Sequence, residues 1–225
     1  MNNFRPFDRA LTRWLFILLL TWGAYFLWMW SKMMYESEEG LFVGTAIVWA
    51  DWAAHMSLAA IFAYRDFGDW LSQNPLFLGQ PVQYHFAVNL ISGTLLRFGF
   101  SYRTAFILPS FIACFAFLIV LFFFYKHILK RPSHAFFAVS FFFMNGGLGF
   151  LVLLKHLAGT PNVGKPEFVT ALPDYGIHWI SILVSEFFPQ RALLLGLCLM
   201  LPFLFVLYRW VEKKYIVRLF AGLFA

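Results

Sequence analysis

A carboxylate and an imidazole stand four residues apart in an otherwise apolar stretch of the chain. Asp51 and His55 lie within residues 45–64, which read TAIVWADWAAHMSLAAIFAY. If this stretch is helical, the spacing places both side chains on one face. Ionisable groups in such surroundings are costly unless they are solvated, paired or used. The pair could act as a general base with a neighbour that orients it or binds an anion. A polar pair that only satisfies itself explains the pattern equally well.

A second polar group follows a turn bounded by proline. Tyr84 and His85 stand in GQPVQYHFAVN, residues 79–89, at the start of what we predict to be an apolar helix. The amide groups at a helix N-terminus favour anions, so this pair could bind a phosphate or a sugar hydroxyl. Taken singly, each residue is also typical of a belt at a membrane interface.

A third group precedes a later apolar run. The segment YGIHWISILVSEFFPQRALLLGL, residues 175–197, holds His178, Glu186, Gln190 and Arg191. We expect Arg191 at the outer membrane interface, where a planar guanidinium suits a lipid phosphate. Snorkelling of an arginine at the end of a span explains the same position equally well.

Composition places these groups in a membrane protein. The 225 residues are 61% hydrophobic and only 12% charged, which excludes an ordinary soluble domain. We therefore predict an all-α polytopic membrane protein. The sequence contains no Walker loop, dinucleotide glycine fingerprint, HExxH zinc motif or GxSxG elbow, so we predict no cofactor. Asp51 and His55 alone are too few ligands for a metal site, and we predict none.

Four uncharged runs are long enough to cross a bilayer. They cover residues 14–31, 104–125, 135–154 and 192–208. We expect a single membrane domain over residues 1–225, with outer loops at 32–103 and 155–191. The final letters LFAGLFA resemble the start of a fifth span, so we expect this chain to be the N-terminal portion of a longer protein.

The distribution of charge sets the expected orientation. With a cytoplasmic N-terminus, the inner side carries ten of the 17 basic residues but only two of the 11 acidic ones. This is the positive-inside pattern, and it explains the net charge of +6 without a nucleic-acid partner. A fifth span at residues 40–64, with Asp51 at mid-membrane, inverts the later loops and loses the pattern. We therefore place Asp51 on the extracytoplasmic side.

The first outer loop is too long for a simple connection. We predict a helix over residues 45–66, a turn at 67–71 and a second helix over 82–98. The sequences NP and GQP between them are typical of turns.

The layout resembles the GT-C superfamily, whose members are membrane glycosyltransferases that use polyprenyl-phosphate-linked sugars. The resemblance rests on ADWAAH, GQPVQYHF, LRFGFSYRTAFILPS and SEFFPQRALLLGL, and it covers roughly residues 10–210. Of these, ADWAAH and FFPQR are the most specific. The chain is most similar to uncharacterised bacterial members whose first loop carries an Asp followed four residues later by a His.

This resemblance implies a function and a set of site residues. Asp51 takes the place of the family's first-loop acid, which deprotonates or positions the acceptor for attack at the sugar C1. The residues implied in binding the donor phosphate or sugar are His55, Tyr84, His85, His178, Glu186, Gln190 and Arg191. The implied partners are a polyprenyl-phosphate-linked sugar, an acceptor glycan, lipid or protein, and the bilayer of a bacterial inner membrane.

Two other functions fit the sequence. A transporter or flippase component would use Asp51, His55 and Glu186 to bind or relay protons. Such proteins carry ionisable residues within their spans, and the four predicted spans contain none. A non-catalytic scaffold, or an inactive truncated relative, is the third interpretation.

Overall fold

A computed structural model describes residues 9–44, 48–145, 171–172, 177–178 and 182–212. These residues form six α-helices: α1 (Arg9–Met33), α2 (Val48–Tyr64), α3 (Ala87–Arg97), α4 (Tyr102–Leu129), α5 (Pro132–Phe143) and α6 (Arg191–Glu212). Two antiparallel hairpins pair β1 (Met34–Ser37) with β2 (Gly40–Val43), and β3 (Ala171–Leu172) with β4 (Ile177–His178). A 3₁₀ turn covers Phe67–Asp69, and a π-helical segment covers Ile182–Phe187. The mostly helical fold confirms the predicted class, although the apolar pattern predicted neither hairpin.

In the described part of the chain, three helices are long and apolar enough to cross a membrane: Arg9–Met33, Tyr102–Leu129 and Arg191–Trp210. They correspond to three of the predicted spans and indicate an integral membrane protein. The fourth predicted span, 135–154, is described only in part. It begins within α5, which is apolar but has only 12 residues, and residues 146–154 lie outside the described part of the chain.

Helices α1 and α4 are antiparallel. The start of α4 lies beside the end of α1, where Arg103 Nε donates a hydrogen bond to the Met34 carbonyl at 3.2 Å. Later in α4 and earlier in α1, Trp30 Nε1 donates to Cys114 Sγ at 3.1 Å. An antiparallel pair requires the residues between the two helices to begin and end on the same side. This direction contradicts the alternative with a fifth span at 40–64.

Helix α6 runs parallel to α4. Its first residue, Arg191, donates a hydrogen bond to Ser110 in the first half of α4. Near the other end, Phe205 packs against His127 with ring centroids 4.9 Å apart. The end of α1 and the starts of α4 and α6 therefore share one end of the helical assembly.

A tight turn joins α4 to α5. Ser101 caps α4 by accepting a hydrogen bond from the amide three residues on. The helix ends at Lys130, which adopts the left-handed conformation with a φ of 64°. Pro132 then opens α5, a position that suits its fixed φ. The predicted span 104–125 is extended because Lys126 and its neighbours complete the last helical turn.

The first loop contains both predicted helices, but the second begins later than expected. Helix α3 starts at Ala87 because the Val82 amide donates to the Leu71 carbonyl at 3.0 Å and is engaged in a turn. Tyr84 and His85 therefore precede the helix instead of opening it. Their predicted place at a helix N-terminus is wrong.

Aromatic side chains fill the core between α1, α4 and the π-helical segment. Phe187 and Phe188 are fully buried. The Phe187 ring lies 5.6 Å from Phe26 and 5.2 Å from Phe117, and the Phe188 ring lies 5.5 Å from Trp30. Buried aromatic rings contribute strongly to a core because each removes about 150–250 Å² from solvent. The two phenylalanines of FFPQR therefore anchor the segment that leads into α6.

Candidate functional site

Helices α2 and α3 run side by side in the same direction. His55 on α2 faces Asn89 on α3, with Nδ1 and Nδ2 3.1 Å apart. One turn later, a Cβ at Gly93 would lie only 2.5 Å from the Ala59 carbonyl oxygen. Glycine permits this close approach of backbone because it has no side chain. The close packing fixes the position of His55 against α3.

Trp52 fastens α2 to the segment before α6. Its ring is fully buried, and its Nε1 donates to the Pro189 carbonyl at 3.2 Å. The indole also stacks with Trp30, with ring centroids 6.3 Å apart. Asp51, the preceding residue, is consequently held beside the start of α6.

Asp51 and Gln190 meet across this junction. Gln190 Nε2 lies 3.5 Å from Asp51 Oδ2, at the long limit of a hydrogen bond. Both side chains are partly exposed. Among the described residues, Oδ1 of Asp51 has no donor, so this oxygen is available to accept a proton or a hydrogen bond from a ligand.

Arg191 is buried next to this pair and does not lie at a surface. It is 4% exposed, and its Nε donates to Ser110 Oγ at 3.0 Å. Its Nη2 donates to Ser92 Oγ. The guanidinium carbon also lies 4.1 Å from the centroid of the Phe106 ring, which is a close cation–π contact. Nη1 is buried and has no hydrogen-bond partner in the described part of the chain.

The contacts of Arg191 do not neutralise its charge. Its hydrogen-bond partners in residues 9–44, 48–145 and 182–212 are the neutral hydroxyls of Ser92 and Ser110. The N-terminus of α6 adds a further partial positive charge at the same place. Burying a cation without an opposite charge costs on the order of several kcal/mol. An anion near the start of α6 is therefore electrostatically favoured.

His55 lies within reach of this positive charge. Burial lowers the pKa of His55, and Arg191 lowers it further, whereas the hydrogen bond to Asn89 and the carboxylate of Asp51 raise it. The imidazole is therefore mostly neutral at pH 7. His55 Nδ1 is paired with Asn89 Nδ2, and the donor in this pair depends on the tautomer of the ring. A neutral imidazole can donate a hydrogen bond to a ligand oxygen through the ring nitrogen that carries its proton.

Tyr84 and His85 border the site on the α3 side. Their rings stack with centroids 3.9 Å apart, and the Tyr84 ring lies 5.8 Å from the His55 ring. Tyr84 is 43% exposed, so its hydroxyl end is accessible to solvent or ligand. The structure thus brings both residues beside His55.

Glu186 and His178 differ in how far the structure describes them. Glu186 belongs to the π-helical segment, and its carbonyl accepts a hydrogen bond from the Gln190 amide at 3.0 Å. Its backbone thereby shapes the turn that presents Gln190, and π-helical turns are frequent at functional sites. The His178 side chain lies outside the described part of the chain, so its role stays a prediction.

The arrangement suits an anionic ligand better than a metal. Among the described residues, no group of three His, Cys, Asp or Glu side chains is placed to hold a metal ion. Asp51 offers a free carboxylate oxygen, and the imidazole of His55 lies on the same helix face one turn later. The charge of Arg191 and the start of α6 supply a positive potential beside them.

Three buried polar residues complete the site and were not predicted from the sequence. Asn89, Ser92 and Ser110 are all at most 4% exposed. Asn89 and Ser92 stand three residues apart on α3, which is the spacing of neighbours on one helix face. Polar residues on one face of an apolar helix are also the pattern that identified Asp51 and His55. The sequence therefore contained the signal for Asn89 and Ser92.

Comparisons with known proteins identify no relative. No protein-family model matches the chain, and neither a curated protein nor a solved structure matches it. The resemblance to GT-C glycosyltransferases therefore rests on the sequence motifs alone.

Proposed function

We propose that the protein is a membrane glycosyltransferase that moves a sugar from a polyprenyl-phosphate donor to an acceptor beside Asp51. One observation carries the proposal. The partly exposed carboxylate of Asp51 lies at the start of α6, next to buried Arg191. The hydrogen-bond partners of Arg191 are neutral, and its Nη1 has no partner among the described residues. Sugar transfer needs a base close to a positive potential, because a hydroxyl loses a proton while a phosphate departs.

The proposed step uses one carboxylate. An acceptor hydroxyl oxygen forms a bond to C1 of the sugar while the bond from C1 to the donor phosphate oxygen breaks. The hydroxyl proton passes to Asp51, and the polyprenyl phosphate leaves with the electron pair of the broken bond. His55 donates a hydrogen bond to that phosphate, and Arg191 and the α6 N-terminus stabilise its charge. A second acid is not needed because a phosphate is a good leaving group, unlike the alcohol in glycoside hydrolysis.

The proposal includes an orientation. The charge distribution favours a cytoplasmic N-terminus, and the antiparallel direction of α1 and α4 supports an α2–α3 connection that lies wholly outside. The sugar is accordingly transferred on the extracytoplasmic face of a bacterial inner membrane, to a glycan, lipid or protein acceptor.

The first part of the test measures anion binding. The full-length protein in nanodiscs is titrated with a polyprenyl phosphate and with the matching polyprenol. We expect the phosphate to bind at least about 10-fold more tightly, because a hydrogen bond to a charged group contributes about 1.5–3 kcal/mol. Arg191→Met should remove most of this preference and Arg191→Lys less of it. Arg209→Met, near the other end of α6, is the matched control.

The second part measures transfer with polyprenyl-phosphate-sugar donors. Asp51→Asn should bind the polyprenyl phosphate like the parent but transfer no sugar, because the amide cannot accept the acceptor proton. A fully active Asp51→Asn protein would exclude the base. Equal affinity of the parent for the polyprenyl phosphate and the polyprenol would exclude the anion site. This comparison uses only the parent protein, so it does not depend on the folding of any variant.

A further inference from the structure

Three consecutive apolar side chains are exposed at the tip of the loop between α2 and α3. Leu76, Phe77 and Leu78 are 51%, 66% and 92% exposed. Apolar groups exposed together on a protein surface indicate a site that contacts another molecule or a membrane. We call residues 76–78 the apolar tip.

Hydrogen bonds within the turn hold the backbone around the apolar tip. The Leu76 amide donates to Asn74 Oδ1 at 2.9 Å, and the Asn74 amide donates to the Gln80 carbonyl at 2.7 Å. The Gln80 amide donates to the Phe77 carbonyl at 3.3 Å, and Gly79 turns the chain with a φ of +77°. These bonds fix a turn that presents the three apolar side chains outward.

The stem of this loop is attached to a unit that lies beside the spanning helices. Val82 packs into a small buried cluster with Leu58 and Ile61 of α2. On the other side of that unit, Ile91 and Leu95 of α3 line an apolar groove shared with α4 and α6. Helix α3 thus packs against the flanks of the apolar helices α4 and α6, and the α2–α3 unit lies beside them.

The residues behind the apolar tip are those found at membrane interfaces. Arg97 lies over the Trp70 ring at 5.9 Å, and Arg65 donates to the Gln73 carbonyl at 2.7 Å. Tryptophan and arginine are enriched where a protein passes from lipid to water. Next to the start of α4, Phe98 is 77% exposed. It adds an exposed apolar side chain at the entry to a spanning helix.

Charge does not determine what the apolar tip contacts. Arg65 and Arg97 near the stem are matched by Asp66 and Asp69, and both acids line a polar pocket with Arg65. The local charges cancel, so the contact must depend on apolar burial. We propose that the apolar tip inserts into the lipid leaflet on this side of the membrane and anchors the α2–α3 unit there. This inference does not depend on the transferase proposal.

The test places a fluorescent NBD group at a cysteine introduced by Leu78→Cys, in full-length protein in nanodiscs. The control is Glu38→Cys, at the exposed tip of the β1–β2 hairpin in the same loop. The parent chain, with native Cys114 and Cys198, gives the background labelling. The nanodiscs contain either plain lipid or lipid with a doxyl quencher on the acyl chain.

We expect the Leu78 label to emit at shorter wavelength than the Glu38 label and to be quenched by doxyl lipid. Quenching should be the same in zwitterionic and anionic lipid, because the charges around the stem cancel. Emission like that of the Glu38 label would overturn the proposal. Blue-shifted emission without doxyl quenching would also overturn it, since the tip would then be covered by protein.

Discussion

The close packing of α2 on α3 gives the sharpest test of the site's architecture. In Gly93→Ala the new Cβ would lie 2.5 Å from the Ala59 carbonyl oxygen and 2.5 Å from Phe62 Cβ. One of these neighbours is backbone and the other is the root of a side chain, so neither can rotate away. Helix α3 must instead move by about 1 Å, because carbon contacts are most favourable near 3.5–4.0 Å.

The expected magnitude is the balance of two opposing terms. Overpacking of a well-packed contact costs about 1–3 kcal/mol. Alanine in place of glycine within a helix returns about 1 kcal/mol. We therefore expect Gly93→Ala to lower the free energy of unfolding by up to about 2 kcal/mol, the difference between these terms. Asn89 lies one turn earlier on the same face of α3, so the shift also lengthens its hydrogen bond to His55.

The assay is denaturant or thermal unfolding of the purified protein in one detergent, with Gly196→Ala as the control. Gly196 is also helical, and a Cβ there would meet nothing within 4 Å. Its replacement should be neutral or stabilising by up to about 1 kcal/mol. Gly93→Ala should therefore be less stable than Gly196→Ala by about 1–3 kcal/mol, the overpacking cost alone. If the two variants were equally stable, α2 and α3 would not pack as closely as described.

The junction with α6 leads to two other measurable effects. Ser110→Ala should lower the free energy of unfolding by about 1–3 kcal/mol, because the buried Nε–H of Arg191 loses its acceptor. Ser57→Ala loses only a hydrogen bond within its own helix, and equal losses in both variants would contradict the role given to Arg191. Because the folded-state pKa of His55 is lowered, mainly by burial, the unfolded chain binds more protons, and stability should fall as pH drops below about 6.5. In thermal unfolding, His55→Gln should flatten this pH dependence of stability and His134→Gln should not. If both variants gave the same pH curve, His55 would not be its cause.

Uninterrupted apolar runs predict α1, α4 and α6 well. Each helix extends a few residues beyond its predicted span, because charged residues at the ends, such as Arg9 and Lys126, continue the helical turn. Length and hydropathy are local properties, and they suffice to predict an apolar helix of about 20 or more residues.

The β1–β2 hairpin shows why local patterns fail elsewhere. Its strands have four residues each, and an acidic run interrupts the apolar signal. The pairing depends on Tyr35 stacking on Phe42, with ring centroids 5.6 Å apart, and on Gly40, whose φ is +133°. A cross-strand pair contributes only about 0.2–1 kcal/mol. Such a small term leaves little trace in composition.

Asp51, His55, Gln190 and Arg191 can be selected from the sequence as candidates, but the contacts that they make cannot be predicted from it. Asp51 and His55 share a helix, as the spacing predicts, yet they contact different partners. Asp51 meets Gln190 before α6, whereas His55 meets Asn89 on α3. These contacts join residues that are far apart in the sequence. The contact of Asp51 with Gln190 depends on Trp52, which holds α2 to the start of α6. No pattern within a short window of sequence encodes that contact.

The burial of Arg191 is the feature that most needs a functional explanation. A cation enclosed by Ser92, Ser110 and aromatic rings is a poor way to stabilise a helix junction, because replacing buried charge by apolar groups of similar volume is often neutral or stabilising. Its position at the first turn of α6 adds to the cost, since the helix N-terminus is itself positive. What the arrangement provides is a fixed positive potential, felt by His55 beside Asp51. A phosphate-bearing ligand would turn this cost into binding energy.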